Sequence, residues 1–187
     1  MKRIVLASGN EGKVKEFKKI LADYEILSMK EMGLDIDIEE TGTTYYENAL
    51  LKAKTVSEIL HEDVIADDSG LCVDALNGAP GVYSARYSGG TPLDNMIKLL
   101  KELDGVENRN AQFCSSVVLY KKDGTIIEGF GETKGYIMHE ITGDNGFGYD
   151  PIFYSLDLKK SFGEATDEEK NSVSHRGRAI EDLVKKL

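Results

Sequence analysis

The sequence predicts an α/β protein whose 187 residues form one domain, 1–187, with length enough for two lobes. Three observations predict it. An apolar strand-type run, Arg3–Ala7, passes through a glycine-containing loop into Val14, Phe17, Ile20 and Leu21 at helical spacing. A second apolar run, Val64–Ala66, follows a long amphipathic stretch, Thr44–Leu60, so strands and helices alternate. Ala111–Tyr120 and Thr125–Thr133 then flank Lys122-Asp123-Gly124, the pattern of a β-hairpin.

The remaining elements follow in chain order. Glu25–Ser28 reads as a second strand. Gly33–Glu40 sets Leu34, Ile36 and Ile38 against Asp35, Asp37 and Glu39, which suits an exposed edge strand or an extended loop. The Thr44–Leu60 helix takes Thr44 as N-cap, with Glu47 completing a capping box. Ala49, Ala53, Val56 and Leu60 make its apolar face, and Asn48, Lys52 and Thr55 share another. Leu71-Cys72-Val73 is apolar, and Leu76–Gly90, rich in Gly, Pro, Ser and Tyr, is a long loop around Tyr83 and Tyr87. Thr91 and Pro92 open a helix as N-cap and first residue, with Leu93, Ile97, Leu100 and Leu103 expected in the core. Lys134–Ile141 is a candidate continuation of the sheet. Thr166 caps a short helix through Asn171, with Glu169 at the box position. The last helix starts at Ser174-His175-Arg176-Gly177 and runs to about Lys186, with Ala179, Leu183 and Leu187 as its apolar stripe.

Composition excludes several classes. The net charge of −10, without a Lys/Arg cluster, argues against nucleic-acid binding. No apolar run approaches the roughly 20 residues of a membrane span, and Met1–Ser8 is too short for an export signal, so the cytoplasm is expected. Cys72 and Cys114, the two cysteines, offer neither a disulfide framework nor zinc spacing and read as core residues. A phosphate-bearing partner would need a divalent cation and placed basic residues to offset the acidic field.

Candidate functional residues fall in five places. Ser8-Gly9-Asn10-Glu11-Gly12-Lys13 lies between a strand and a helix start, where backbone N–H groups and Lys13 suit an anion; a plain loop gives the same pattern. Ile65-Ala66-Asp67-Asp68-Ser69-Gly70 reads as a strand that surfaces and delivers acids to a rim, or as a strand followed by a solvated turn. Adjacent strand residues point to opposite faces, so Asp67 and Asp68 are not expected to meet one metal together. Glu40, beside Thr41-Gly42, is a second carboxylate source, and Lys52 could reach a phosphate or stand solvated. Gly143–Gly148 holds Phe147 among three glycines, as a surface for a flat ring or as a pin for the loop. His175 and Arg176 put cations at a helix N-terminus, where the dipole disfavours them, which suggests a use such as meeting a bound anion or carbonyl.

Six blocks, in order, resemble the inosine/xanthosine triphosphatase family, the non-canonical purine nucleoside triphosphate pyrophosphatases. They are Ser8–Lys13, Glu40-Thr41-Gly42, Ala66–Gly70, Gly78-Ala79-Pro80-Gly81, Phe147–Pro151, and Glu169-Lys170 leading to Ser174–Gly177. The resemblance implies a long mixed β-sheet flanked by helices, two lobes with a central nucleotide-binding cleft, a homodimer and Mg²⁺ dependence. It implies hydrolysis of ITP, dITP and XTP to the monophosphate and pyrophosphate, which cleanses the nucleotide pool. It makes Ser8, Gly9, Asn10, Glu11, Gly12 and Lys13 the triphosphate loop, Asp68 the catalytic acid/base and a metal ligand, and Glu40 the second metal carboxylate. Ser69 becomes a substrate contact, Phe147, Gly148, Tyr149 and Asp150 the base loop, and Lys170, His175 and Arg176 contacts near the purine. Lys52 as a phosphate contact is an addition from the helix pattern. A related pyrophosphatase for other modified nucleotides and a non-catalytic nucleotide sensor are the alternatives.

Overall fold

The computed structural model describes all residues, Met1–Leu187. Strands β1 (Lys2–Leu6), β2 (Tyr24–Ser28), β3 (Val64–Val73), β4 (Asn110–Tyr120), β5 (Ile126–Ile137), β6 (Phe153–Ser155) and β7 (Lys160–Ser161) form one seven-stranded sheet, ordered β2-β1-β3-β4-β5-β6-β7. The sheet is mixed: β1 pairs in parallel with β2 and β3, whereas β5-β6-β7 is antiparallel. The helices are α1 (Glu11–Ile20), α2 (Tyr45–Leu60), α3 (Pro92–Glu102), α4 (Asp167–Val173) and α5 (His175–Val184). No helix is long and apolar enough to cross a membrane.

The chain divides into two compact units. Unit 1 comprises Met1–Asp68, Ser115–Gly131 and Arg176–Leu187. Strand alternation sorts its core into two layers. Ile4, Leu6, Ile65, Val117 and Leu119 pack with Phe17 and Leu21 and with Ala179, Ile180 and Leu183 of α5. Val5, Ala7, Val64, Ala66 and Val118 pack with Ala49, Ala53 and Val56 of α2. One sheet face thus carries α1 and α5 and the other carries α2. Each fully buried Leu, Ile or Phe contributes roughly 1.5–3 kcal/mol here. Gly33–Glu40 forms no strand; it is the extended alternative, and Leu34, Ile36 and Ile38 pack against the α2 layer. Thr44 caps α2 by accepting from the Glu47 N–H, and the Glu47 carboxylate reaches back to the Thr44 N–H and, more strongly, to the Thr43 N–H at 2.7 Å.

Unit 2 comprises Ser69–Cys114 and Glu132–His175. Its core joins Leu71, Val73 and Phe113 to Met96, Leu99, Leu103, Phe153 and Phe162. The face expected for α3 is corrected in part: Leu93 and Ile97 are exposed, with Met96 and Leu99 buried in their place, while Leu103 is buried and Leu100 packs against the core as expected. Both stripes fit a helical period; buried Asn95 sets the rotation by anchoring the preceding loop. Its amide accepts from the Ser88 N–H at 2.8 Å and donates to the Ala85 carbonyl at 3.2 Å. That loop contains a two-turn 3₁₀ segment, Gly81–Arg86, in which the Ser84 hydroxyl accepts from the Leu71 N–H at 2.9 Å. The sheet continues past Thr133 only to Ile137. The last helix ends at Val184, so Leu187 lies outside it and is exposed, and Ile180 completes the stripe.

Candidate active site

Strand β3 runs on to Val73 rather than ending at Ala66, so the two acids lie inside a strand. This corrects the expectation of carboxylates at a rim: Asp67 is 1% exposed and Asp68 5%. Burial at that depth requires partners, and alternation gives each acid a different set.

Asp67 turns to the α1 and α5 face. Its Oδ2 meets Lys13 Nζ at 3.2 Å and Arg176 Nε at 3.1 Å. Arg176 also pairs through Nη1 with Glu16, so a chain of charge links α5, β3 and α1. Burial opposes ionisation of Asp67, but Lys13, Arg176 and Lys52 overwhelm it and hold the carboxyl far below the usual carboxylate range. Burial also disfavours the Arg176 cation; Asp67 and Glu16 more than offset that, and its proton affinity is raised. For Lys13 burial wins, assisted by the neighbouring Arg176 and Lys52, and its proton affinity is lowered despite Asp67.

Asp68 turns to the α2 face. Asn48, fully buried on α2, donates Nδ2–H to Asp68 Oδ2 at 2.9 Å and accepts the Gly42 N–H at 2.7 Å. One amide therefore ties the Glu40-Thr41-Gly42 turn to the acid. Burial, and then the Glu40 carboxylate, push the Asp68 pKa up to about 6, against the Asn48 hydrogen bond and the Lys52 and Lys13 charges. Lys52 Nζ lies 3.5 Å from Glu40 Oε1 and donates to the Asp67 backbone carbonyl at 2.6 Å.

The loop after β1 is built as a helix entry. Ser8 Oγ accepts the Asn10 N–H at 3.1 Å, and Asn10, the N-cap of α1, accepts the Lys13 N–H at 3.1 Å. Glu11 opens the helix in solvent, and Gly9 has room on every side for a Cβ. A cavity of about 1130 Å³ opens beside Ser8, Gly9 and Glu11, with Ser28, Lys30 and Glu31 among its other lining residues. It contains neither Asp68 nor Glu40.

The other predicted residues belong to unit 2. Asp150, 3% exposed, accepts the Phe147 N–H at 3.0 Å and pairs with Lys170 Nζ at 2.6 Å. Lys170 Nζ lies 4.4 Å from the centre of the Phe147 ring, a cation–π contact. The loop bends at Gly146 (φ 72°), where a Cβ would run into the Asp150 carboxylate. Gly148 (φ 60°) supplies a second left-handed residue. The Tyr149 hydroxyl donates to the Ser84 carbonyl at 2.7 Å. His175, 4% exposed, stacks on Phe113 at 4.9 Å. Ser69 is half-buried on β3.

The structure thus brings together Lys13, Glu40, Lys52, Asp68 and Arg176 in unit 1, and Phe147, Asp150 and Lys170 in unit 2. The Arg176 guanidinium lies with Asp67 and Glu16, two buried carboxylates. Sequence reasoning missed Glu16 and left Asn48 without a role. Glu16 shares a helical stripe with Lys13, Phe17 and Ile20, and a charged residue beside the inward Phe17 was its signal.

No group of three or more His, Cys, Asp or Glu side chains converges anywhere in the chain. Glu40 is close enough for its charge to raise the proton affinity of Asp68. Two hard oxygen donors without thiol or imidazole suit Mg²⁺, which takes one or two carboxylates and fills its shell from water and phosphate.

Fold and site together define a class: a mixed-sheet α/β protein in which a central strand carries a fully ionised acid on one face and a proton-accepting acid on the other, among buried cations. Within that class, the chain belongs to the Ham1 family, whose model matches residues 4–186. It is 47% identical over 199 aligned residues to a dITP/XTP pyrophosphatase of Clostridium perfringens, covering 100% of this chain and 98% of that one. The solved Ham1 protein of Staphylococcus aureus superposes with a TM-score of 0.86 at 44% identity, over 96% of this chain and 95% of that one. A Ham1 protein from Coxiella burnetii gives a TM-score of 0.89 at 38% identity, over 100% and 98%.

Proposed function

We propose that the protein hydrolyses non-canonical purine nucleoside triphosphates (ITP, dITP and XTP) to the monophosphate and pyrophosphate, and so cleanses the nucleotide pool. The observation that carries this is Asp68, a buried carboxyl pushed up to about 6, set beside Glu40 and Lys52 in a member of the Ham1 family. A relative at 47% identity bears the name dITP/XTP pyrophosphatase.

Each residue then has a task. Asp68 accepts the proton of the attacking water as the water oxygen bonds the α-phosphorus and the bond from that phosphorus to the pyrophosphate oxygen breaks, since its proton affinity lies near working pH. Asn48 holds the acid in one orientation. Ser8 to Lys13 and Lys52 take the triphosphate, with Lys13 as the cation of the loop. Asp67 and Glu16 fix Lys13 and Arg176 in place, so these cations need not reorganise as charge moves to the leaving pyrophosphate. Asp68 and Glu40 would hold Mg²⁺, which supplies charge neutralisation on the phosphate oxygens. Phe147 gives the base a flat surface, Gly148 lets the backbone approach it, and Ser69, Tyr149, Asp150 and Lys170 shape and bind that end. A hydrogen-bond donor from His175 would favour the 6-oxo group of hypoxanthine or xanthine over the 6-amino group of adenine, and such a site can reject the wrong partner by about 10⁴.

The same reading includes a homodimer in the cytoplasm. Tyr83, Leu93 and Ile97, exposed in unit 2, are apolar surface that a second copy would cover.

The test is a panel of nucleoside triphosphates incubated with the purified protein and Mg²⁺, with the released anion identified. Pyrophosphate from ITP, dITP and XTP, with little from ATP, GTP or pyrimidine nucleotides, supports the proposal. Orthophosphate release, or a preference for modified pyrimidines, refutes it. Binding without any release identifies a sensor instead.

A further inference from the structure

Cys72 and Cys114 are the only cysteines, and the proposed reaction uses neither. The sequence suggested separate core residues; the structure brings them together. Strands β3 and β4 are neighbours in the sheet. Lys122, just beyond β4, donates its backbone N–H to the carboxylate of Asp63, just before β3, at 3.0 Å. The start of β3 therefore lies beside the end of β4, and the strands run antiparallel. Leu71, Val73, Ala111 and Phe113 share one core cluster, so alternation turns Cys72 and Cys114 together to the opposite face of these neighbouring strands, where the two thiols hydrogen-bond to each other. Facing side chains on neighbouring strands have Cβ atoms about 4.5–5.5 Å apart. A disulfide spans about 3.5–4.5 Å, so a small local shift closes the gap.

The two thiols are chemically unequal. Both are reduced; Cys72 is half-buried, whereas Cys114 is buried. The hydrogen bond to Cys72, and then burial, push the Cys114 thiol up, so Cys114 keeps its proton and lends it to its neighbour. The sulfur that receives a hydrogen bond and reaches solvent is the better nucleophile.

We propose that Cys72 and Cys114 form a peroxide-reactive dithiol that closes to an intrachain disulfide between β3 and β4. The Cys72 thiolate attacks one oxygen of hydrogen peroxide, the O–O bond breaks, and hydroxide leaves to become water, giving a sulfenic acid on Cys72. The Cys114 sulfur then attacks Cys72 Sγ, the S–O bond breaks, and the departing hydroxide takes the Cys114 proton as a second water. Two thiols lose two electrons and two protons; one peroxide becomes two waters.

The test treats the reduced, folded, full-length protein with hydrogen peroxide, blocks remaining thiols with N-ethylmaleimide, and maps peptides without reductant. Both thiols should disappear together, the intact mass should fall by two hydrogens, and a peptide pair joining Cys72 to Cys114 should appear. A thiol reductant should restore both. Cys114→Ser should stop at a sulfenic acid on Cys72 that dimedone traps, and Cys72→Ser should leave Cys114 unreacted at the same dose. Conversion of Cys72 to sulfinic acid while Cys114 stays alkylatable overturns the proposal. So does a linkage between two copies, or a reaction seen only after unfolding. The wild-type map decides the matter even where a variant does not fold.

Discussion

Asp67→Asn and Asp68→Asn exchange the same atoms one residue apart, and the structure predicts opposite outcomes. Asp67 faces two buried cations at 3.1 and 3.2 Å. At an effective dielectric of about 20, each attraction is about 5 kcal/mol before desolvation. Removing one partner of a buried pair costs about 3–5 kcal/mol, because the remaining charge stays buried. Arg176 keeps Glu16, which places the cost of Asp67→Asn near the lower end, about 3 kcal/mol. Asp68 has the reverse sign. Its pKa rises from 3.8 to about 6, so ionised Asp68 weakens the fold by about 3 kcal/mol at most. That penalty is absent below pH 3.8, grows up to about pH 6 and is constant above it. An Asn there removes the penalty and still accepts from Asn48. Urea unfolding at pH 8 with EDTA, followed by circular dichroism, reads both. With a slope of roughly 2 kcal/mol per molar, Asp67→Asn lowers the midpoint by about 1.5 M, while Asp68→Asn leaves it unchanged or raises it. Turnover of ITP with Mg²⁺ should fall at least about 10²-fold in Asp68→Asn. An Asp67→Asn midpoint equal to wild type would refute the buried-pair argument. An Asp68→Asn enzyme within threefold of wild type would refute the role of Asp68.

Three further outcomes follow from the same geometry. In the metal-free protein, the Asp68 carboxyl carbon should titrate near pH 6 by NMR, and Glu40→Gln should move that midpoint down, since it removes a neighbouring negative charge; an unmoved midpoint would mean burial acts alone. Asn48→Ala removes hydrogen bonds at 2.9 and 2.7 Å, one of them to a carboxylate, and should cost about 2–4 kcal/mol in urea unfolding, whereas a loss under about 0.5 kcal/mol would show that water replaces the amide. Phe147→Ala should raise KM for ITP by about 5- to 100-fold with kcat nearly unchanged, the range for losing one stacked base; a fall in kcat at constant KM would place the ring elsewhere.

Where the sequence was legible, one local rule decided the outcome. Thr91-Pro92 and Thr166 with Glu169 are helix starts whose capping chemistry is local, and both boxes formed. The hairpin about Lys122-Asp123-Gly124 needed only alternation and a glycine with positive φ. Where two rules competed, tertiary contacts chose. The face of α3 turned on buried Asn95. The end of β3 was misplaced because a sequence lists acids but not the partners that allow their burial. Arg176 is the instructive case. Its unfavourable position at the start of α5 pointed to a bound anion or carbonyl, and the anion its guanidinium meets in the fold is internal. That anion is supplied by Asp67 and Glu16, residues 109 and 160 positions away, a distance no local pattern spans.

The same two faces of β3 bear on the metal. On the α1 and α5 side, Lys13 and Arg176 balance Asp67 and Glu16, so that face is neutral and its cations are already engaged. On the α2 side, Lys52 stands against Glu40 and Asp68, and above pH 6 one negative charge is in excess. A triphosphate brought to such a surface gains little, because each loop cation has a prior partner and the open face repels it. A divalent cation held by Glu40 and Asp68 would reverse the sign on the α2 side and leave the other face untouched. The excess charge is therefore confined to one face of one strand, and that confinement is the physical reason to propose Mg²⁺ at Glu40 and Asp68 rather than at Asp67.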